Sequence, residues 1–111
     1  MAANSFTATP PSSALIIPIG IYIVNAYCAF TPTSSVVHTL RLGISTSSTS
    51  FVGSYNTTIE NTVSASALQH SISYTFVLSN PALTDYFFVF NTNVAGNILL
   101  GSFNGRFIRI A

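Results

Sequence analysis

Ala14 to Phe30 reads ALIIPIGIYIVNAYCAF, an apolar run broken only by Pro18, Gly20 and Asn25. Seventeen residues lie near the lower limit for a membrane-spanning helix. β-Branched residues crowd the run, however, and Pro18 and Gly20 would interrupt a helix, so it is read as strand and membrane insertion is not expected. The expected form is a short strand, a kink at Pro18 to Gly20, and a long strand from Ile21 to Phe30. In the long strand Tyr22, Val24, Ala26, Cys28 and Phe30 share one face, and Ile21, Ile23 and Tyr27 share the other with Asn25. A strand apolar on both faces is covered on both. One core covers one face, and the other is expected to meet another subunit.

Composition points the same way. The chain of 111 residues is read as one domain, 1–111, with 1–13 as an N-terminal arm or edge strand. Charged residues make up 5% of it, lysine is absent and the net charge is +1; ordinary soluble domains carry about 25% charge. Ser, Thr and Asn supply the polar surface, and neutral surfaces repel one another weakly. Such a monomer is a poor colloid, so permanent assembly is expected; a surface that simply tolerates low charge is the alternative. Arg41, Arg106 and Arg109 are too few to track a phosphate backbone, so nucleic acid is not an expected partner. The single cysteine, Cys28, excludes an internal disulfide framework and reads as core filler. No basic region precedes an apolar segment at the N-terminus, so a cleavable secretory signal is not expected.

The rest of the chain alternates. Asn4 to Thr9 is a short edge strand around Phe6, followed by a turn over Pro10 to Ser13. Val36 to Ile44 places Val36, His38, Leu40, Leu42 and Ile44 on one face. A hydroxyl-rich loop, Ser45 to Ser50, leads into weaker strands over Phe51 to Ile59 and Asn61 to Leu68, expected in an outer, solvated sheet. Ile72, Tyr74, Phe76 and Leu78 alternate with Ser73, Thr75 and Val77, as in a strand with one buried face. After a turn from Asn80 to Asp85, Tyr86 to Phe90 is apolar on both faces and is expected beside Ile21 to Phe30 in one central sheet. Asn91 to Asn97 reads as a polar loop. Asn104-Gly105, between runs at Ile98 to Phe103 and Arg106 to Ala111, reads as a hairpin turn. With no sustained helical period, the fold class is all-β, a two-sheet antiparallel sandwich or barrel, and a jelly roll accommodates this number of strands.

The order of motifs resembles the C1q/TNF-like jelly roll over nearly the whole chain. SFTA around Phe6 is similar to that family's opening strand, and PIGIYIV, Pro18 to Val24, to the start of a central strand. FVLSNPALTDYFFVF, Phe76 to Phe90, is similar to a leucine-bearing strand followed by an Asp-led apolar strand, and GSFNGRFIRI, Gly101 to Ile110, to the closing segment. Thr84 stands where the family has Gly, and Arg106 intervenes between Gly105 and Phe107. The resemblance implies a homotrimer. With no collagen-like stalk, the chain is most similar to virion members: a capsid-surface decoration, minor capsid or fibre-head protein that docks on other capsid proteins. A vertex pentamer is a further form a jelly roll takes, and an extracellular recognition module for a glycan or receptor is the alternative. The resemblance also sets strand faces: Tyr22 and Val24 inward, then Phe87 and Val89 inward. Ile21, Ile23, Tyr27, Tyr86, Phe88 and Phe90 would then form the subunit interface around a three-fold axis.

Chemistry is thinly represented. The titratable inventory is His38, His70, Cys28, Asp85 and Glu60, with no C-x-x-C or H-x-x-x-H spacing, so no metal site is expected. Two carboxylates are too few for a strong calcium site. A Cys28, His38 and Asp85 nucleophile set can be written down, but nothing local supports it. No Gly-rich phosphate loop occurs, and no catalytic residue, cofactor or enzymatic activity is expected. Asn56-Thr57-Thr58 satisfies the N-glycosylation pattern, which matters only in a secretory lumen.

Overall fold

The computed structural model describes residues 1–10, 14–51 and 58–111. Asn56 and Thr57 of the Asn56-Thr57-Thr58 pattern, most of the strand expected over Phe51 to Ile59 and the end of the Pro10 to Ser13 turn fall outside them. Among the described residues there is no helix, and nine strands are found: β1 Phe6–Thr9, β2 Leu15–Ile17, β3 Gly20–Pro32, β4 Val36–Ser45, β5 Thr58–Ser66, β6 His70–Asn80, β7 Thr84–Thr92, β8 Gly96–Ile98 and β9 Asn104–Arg109. All pairings are antiparallel. In the first sheet β7 lies between β4 and the successive short strands β1 and β2, with β5 at the edge beyond β4. In the second, β3 lies between β6 and the successive strands β8 and β9. The chain is an all-β sandwich.

The two doubly apolar segments are both central, but in different sheets. This corrects the expectation that Ile21 to Phe30 and Tyr86 to Phe90 share one. Double-sided apolarity reports that a strand is covered on both faces; each layer of a sandwich has such a strand, and the pattern does not say which layer. The inner faces meet in a core of Tyr22, Val24, Ala26, Cys28 and Phe30 from β3, Leu40, Leu42 and Ile44 from β4, and Phe88 and Phe90 from β7, with Ile17 and Ile72. Phe30 and Phe90 meet between the layers at 5.5 Å between ring centroids. Phe107 of β9 packs against Tyr22, Tyr86 and Phe88.

A second correction follows. Tyr86, Phe88 and Phe90 point into the sandwich, where Phe88 is 1% and Phe90 0% exposed, and Tyr86 packs against the core. They cannot form a surface patch with Ile21, Ile23 and Tyr27. The physical reason is the strand's one charge. An unpaired carboxylate is too costly to bury; Asp85 is exposed opposite the exposed Ile16. A period of two then sends Phe87 and Val89 to the outward side and residues 86, 88 and 90 inward.

Asn104-Gly105 is not a hairpin turn. Both residues lie within β9, and β8 and β9 each pair with β3 rather than with each other. β8 and β9 run in the same direction along β3, and the turn at Leu99 to Phe103 between them is an excursion from that edge, not a reversal; there Gly101 takes φ +77, a conformation open to glycine at little cost. The break between β8 and β9 leaves Ala29 of β3 without a strand partner on that side. Its carbonyl accepts from the Leu99 N–H at 2.9 Å, and its N–H donates to Ser102 Oγ at 3.1 Å, so the buried backbone stays satisfied. The loop expected over Asn91 to Asn97 is likewise shorter, because β7 runs to Thr92 and β8 begins at Gly96.

The kink at Pro18 is fixed by one buried side chain. Asn80 Nδ2 donates to the carbonyls of Ile17 (3.0 Å) and Pro18 (2.9 Å), and its Oδ1 accepts from Tyr86 Oη (3.1 Å) and Thr84 Oγ1 (3.3 Å). Tyr22 Oη also donates to the Pro18 carbonyl at 2.9 Å. The end of β6 thereby ties together β2, β3 and β7.

Candidate functional site

The strongest candidate surface is the outer face of the second sheet. Residues directly opposite in an antiparallel pair point the same way, so the register lays that face out in rows. One row runs Val77, Ile23, Ile108 across β6, β3 and β9. Ile21 lies next to it, opposite Ser79, with Ile110 beside it donating its N–H to the Ile21 carbonyl at 2.8 Å. Val77 is 65% exposed, Ile110 53% and Ile21 38%. Thus Ile21 and Ile23, expected at an interface, do lie on an outer apolar face. Their neighbours are Val77, Ile108 and Ile110 rather than residues 86, 88 and 90.

Toward the other end of the face the rows turn polar: Thr75, Asn25, Arg106, and then Ser73, Tyr27, Asn104. Thr75 Oγ1 donates to Asn25 Oδ1 at 2.9 Å. The short side chains between Tyr27 and Arg106 leave a pit of about 370 Å³ whose floor includes Ala26 and Gly105. It offers one cation, an exposed phenol ring, and amide and hydroxyl groups. This combination can bind a hydroxylated or carboxylated small molecule, hydrogen bonds fixing orientation and the ring supplying contact area. Sequence alternation gave the outward set of each strand; only the register across three strands could gather it.

The first sheet's outer face carries a different row: Phe6, Asn91, Arg41 and Glu60 from β1, β7, β4 and β5. The Arg41 guanidinium lies 4.7 Å from the Phe51 ring centroid, and Phe51 meets Phe6 edge-on at 5.4 Å.

Cys28, His38 and Asp85 are not brought together. His38 lies two positions from Leu40, which pairs with Thr92. Asp85 sits at the opposite end of β7, a separation from Thr92 of roughly 23 Å at about 3.3 Å per residue. Cys28 is fully buried, and burial pushes its thiol up to about 12, so the thiolate required of a nucleophile is not formed near neutrality. His38 is buried with Nδ1 2.8 Å from the Val36 carbonyl, and its ring stands 5.8 Å from that of His70. Both Nε2 atoms are buried without a hydrogen-bond partner among the described residues. Among those residues no three of His, Cys, Asp or Glu gather as metal ligands would, and no helix is long and apolar enough to cross a membrane.

Set against known proteins, the chain matches no family model, no curated protein and no solved structure.

Proposed function

We propose that this chain is a structural, non-catalytic building block of a larger particle, a virion-surface component as the motif order implies, held by the outer face of its β6-β3-β9 sheet. The observation that carries the reading is the apolar row Val77, Ile23, Ile108 with Ile21 and Ile110, all exposed but the half-buried Ile23, on a body only 5% charged. Contiguous apolar surface of this kind marks an interaction site, and low charge lets identical bodies approach closely. The finer fold type, a C1q/TNF-like jelly roll, belongs to the same proposal and rests on the motif order. It must accommodate opening and closing strands in different sheets, β1 on β7 and β9 on β3. The three-fold axis is not carried into this reading, since half the residues assigned to it are core.

Sedimentation equilibrium of the purified chain, with cross-linking of the native particle, tests the proposal. Association at micromolar concentration and cross-links from β3, β6 or β9 to another subunit are expected. A monomer at all concentrations, or cross-links confined to the first sheet, would overturn it.

The pit between Tyr27 and Arg106 favours a second reading, recognition of a glycan. The Ser45 to Ser50 and Asn91 to Asn97 loops contain no aromatic ring, whereas the pit has one. Saturation-transfer NMR against neutral and acidic sugars, lost in Tyr27→Ala, is its test.

A further inference from the structure

The β6 edge of the second sheet differs from every other edge of the sandwich. A sheet edge exposes unpaired N–H and C=O groups, and proteins that stay monomeric blunt it with charge, proline, bulges or brevity. β1, β2 and β8 are three or four residues long. β5 carries Glu60, and its register against β4 shifts between Val36 and His38. β9 carries Arg106 and Arg109. β6 has none of these: it spans eleven residues without a charge or a proline, in unbroken register with β3 from Gly20 opposite Asn80 to Phe30 opposite His70. Among the described strands none pairs with its other side.

We infer that β6 pairs antiparallel with β6 of a second copy of this chain about a two-fold axis, centred on Val77 opposite Val77, so that two second sheets become one. The inference rests on the assembly reading and names its partner and symmetry. The segment Thr75 to Ser79 is self-complementary in that register. Thr75 faces the partner's Ser79, Phe76 faces Leu78, and Val77 faces itself, so hydroxyl meets hydroxyl and apolar meets apolar. Each pair also keeps its side of the sheet: Phe76 and Leu78 lie toward the core, and Thr75, Val77 and Ser79 are exposed. The apolar row then runs without a gap through Ile108, Ile23, Val77 and the same three residues of the second copy. An antiparallel edge pair uses the same surface on both partners, which is the geometry of a closed dimer. With no like charges facing across the seam, nothing in β6 opposes it.

The test is self-association measured by sedimentation equilibrium on wild type and Val77→Lys, with disulfide trapping as a second readout. Wild type is expected to be a dimer or a multiple of one. Val77→Lys sets two ammonium groups face to face and is expected to be monomeric with its β-sheet circular dichroism intact. Cβ atoms of directly opposed residues lie within reach of a disulfide after small adjustment, so Val77→Cys is expected to oxidise to a covalent dimer. Thr75→Cys should link only when mixed with Ser79→Cys; Cys28 is buried and does not compete. A wild-type oligomer unchanged in Val77→Lys, or Thr75→Cys linking to itself as readily as Val77→Cys, would overturn the β6 seam while leaving assembly through another surface. A wild-type monomer at every concentration would remove both.

Discussion

Gly105 of β9 and Phe88 of β7 touch between the two sheets because one of them has no side chain: a Cβ on Gly105 would lie closer than 3.0 Å to three atoms of the Phe88 ring. The glycine that resembles a hairpin signal is in fact a close-approach site, opposite Ala26 on β3. Gly105→Ala is expected to cost about 1–3 kcal/mol through overpacking, measured by urea denaturation. Gly101 gives the contrast. It has open space around its Cβ position but φ +77, so Gly101→Asn adds no clash and carries only the backbone strain of that conformation, which Asn bears better than most residues, a cost of up to about 1 kcal/mol. Equal losses at the two sites would contradict these roles.

Phe88 and Ile23 should separate stability from assembly. Phe88→Ala empties part of the core and is expected to cost about 3–5 kcal/mol. Ile23→Ser, on the outer face, should leave the sandwich folded by circular dichroism while weakening self-association at least tenfold. A folded, fully stable Phe88→Ala would mean that the strand faces are reversed.

Asn80 supplies four hydrogen bonds to groups at one end of the sandwich. Asn80→Ala removes the side-chain donor to the Ile17 carbonyl and the acceptor of the Tyr86 hydroxyl; the Pro18 carbonyl loses one bond and keeps the one from Tyr22. Each unsatisfied buried group costs about 1–3 kcal/mol, so a total loss above about 2 kcal/mol is expected. Hydrogen exchange should show Leu15–Ile17 losing protection first; uniform loss across the sandwich would argue against a local clamp.

Cys28 provides a pH signature. Its thiol is raised by burial from the ordinary 9.0 to about 12. Between these values the unfolded chain gives up the proton and the folded chain keeps it, so this contribution is fully present below 9 and declines as pH rises toward 12. Chemical denaturation of wild type and Cys28→Ala from pH 8 to 11 should show a steeper decline in wild type. At pH 8 a thiol reagent should modify Cys28 only after unfolding. Rapid labelling of the native protein would refute its burial.

Local alternation made much of this molecule legible in advance. The kinked strand pair around Pro18, the one-sided pattern of Ile72 to Leu78 and the inward set of His38, Leu40, Leu42 and Ile44 follow from apolar residues recurring every second position, a constraint each strand carries alone; Val36, expected on the same face, is exposed because the register shifts between it and His38. The direction of β7 was also legible, because exposed Asp85 sets the phase of Tyr86, Phe88 and Phe90. Reading that phase from motif similarity instead inverted it. Which layer each central strand joins, why Gly105 is glycine, and how Val77, Ile23 and Ile108 come to form one row depend on pairings between segments far apart in the chain. Those pairings are decided by the tertiary structure, because the free energy of closing and filling the sandwich belongs to all the strands together and is encoded in no single stretch.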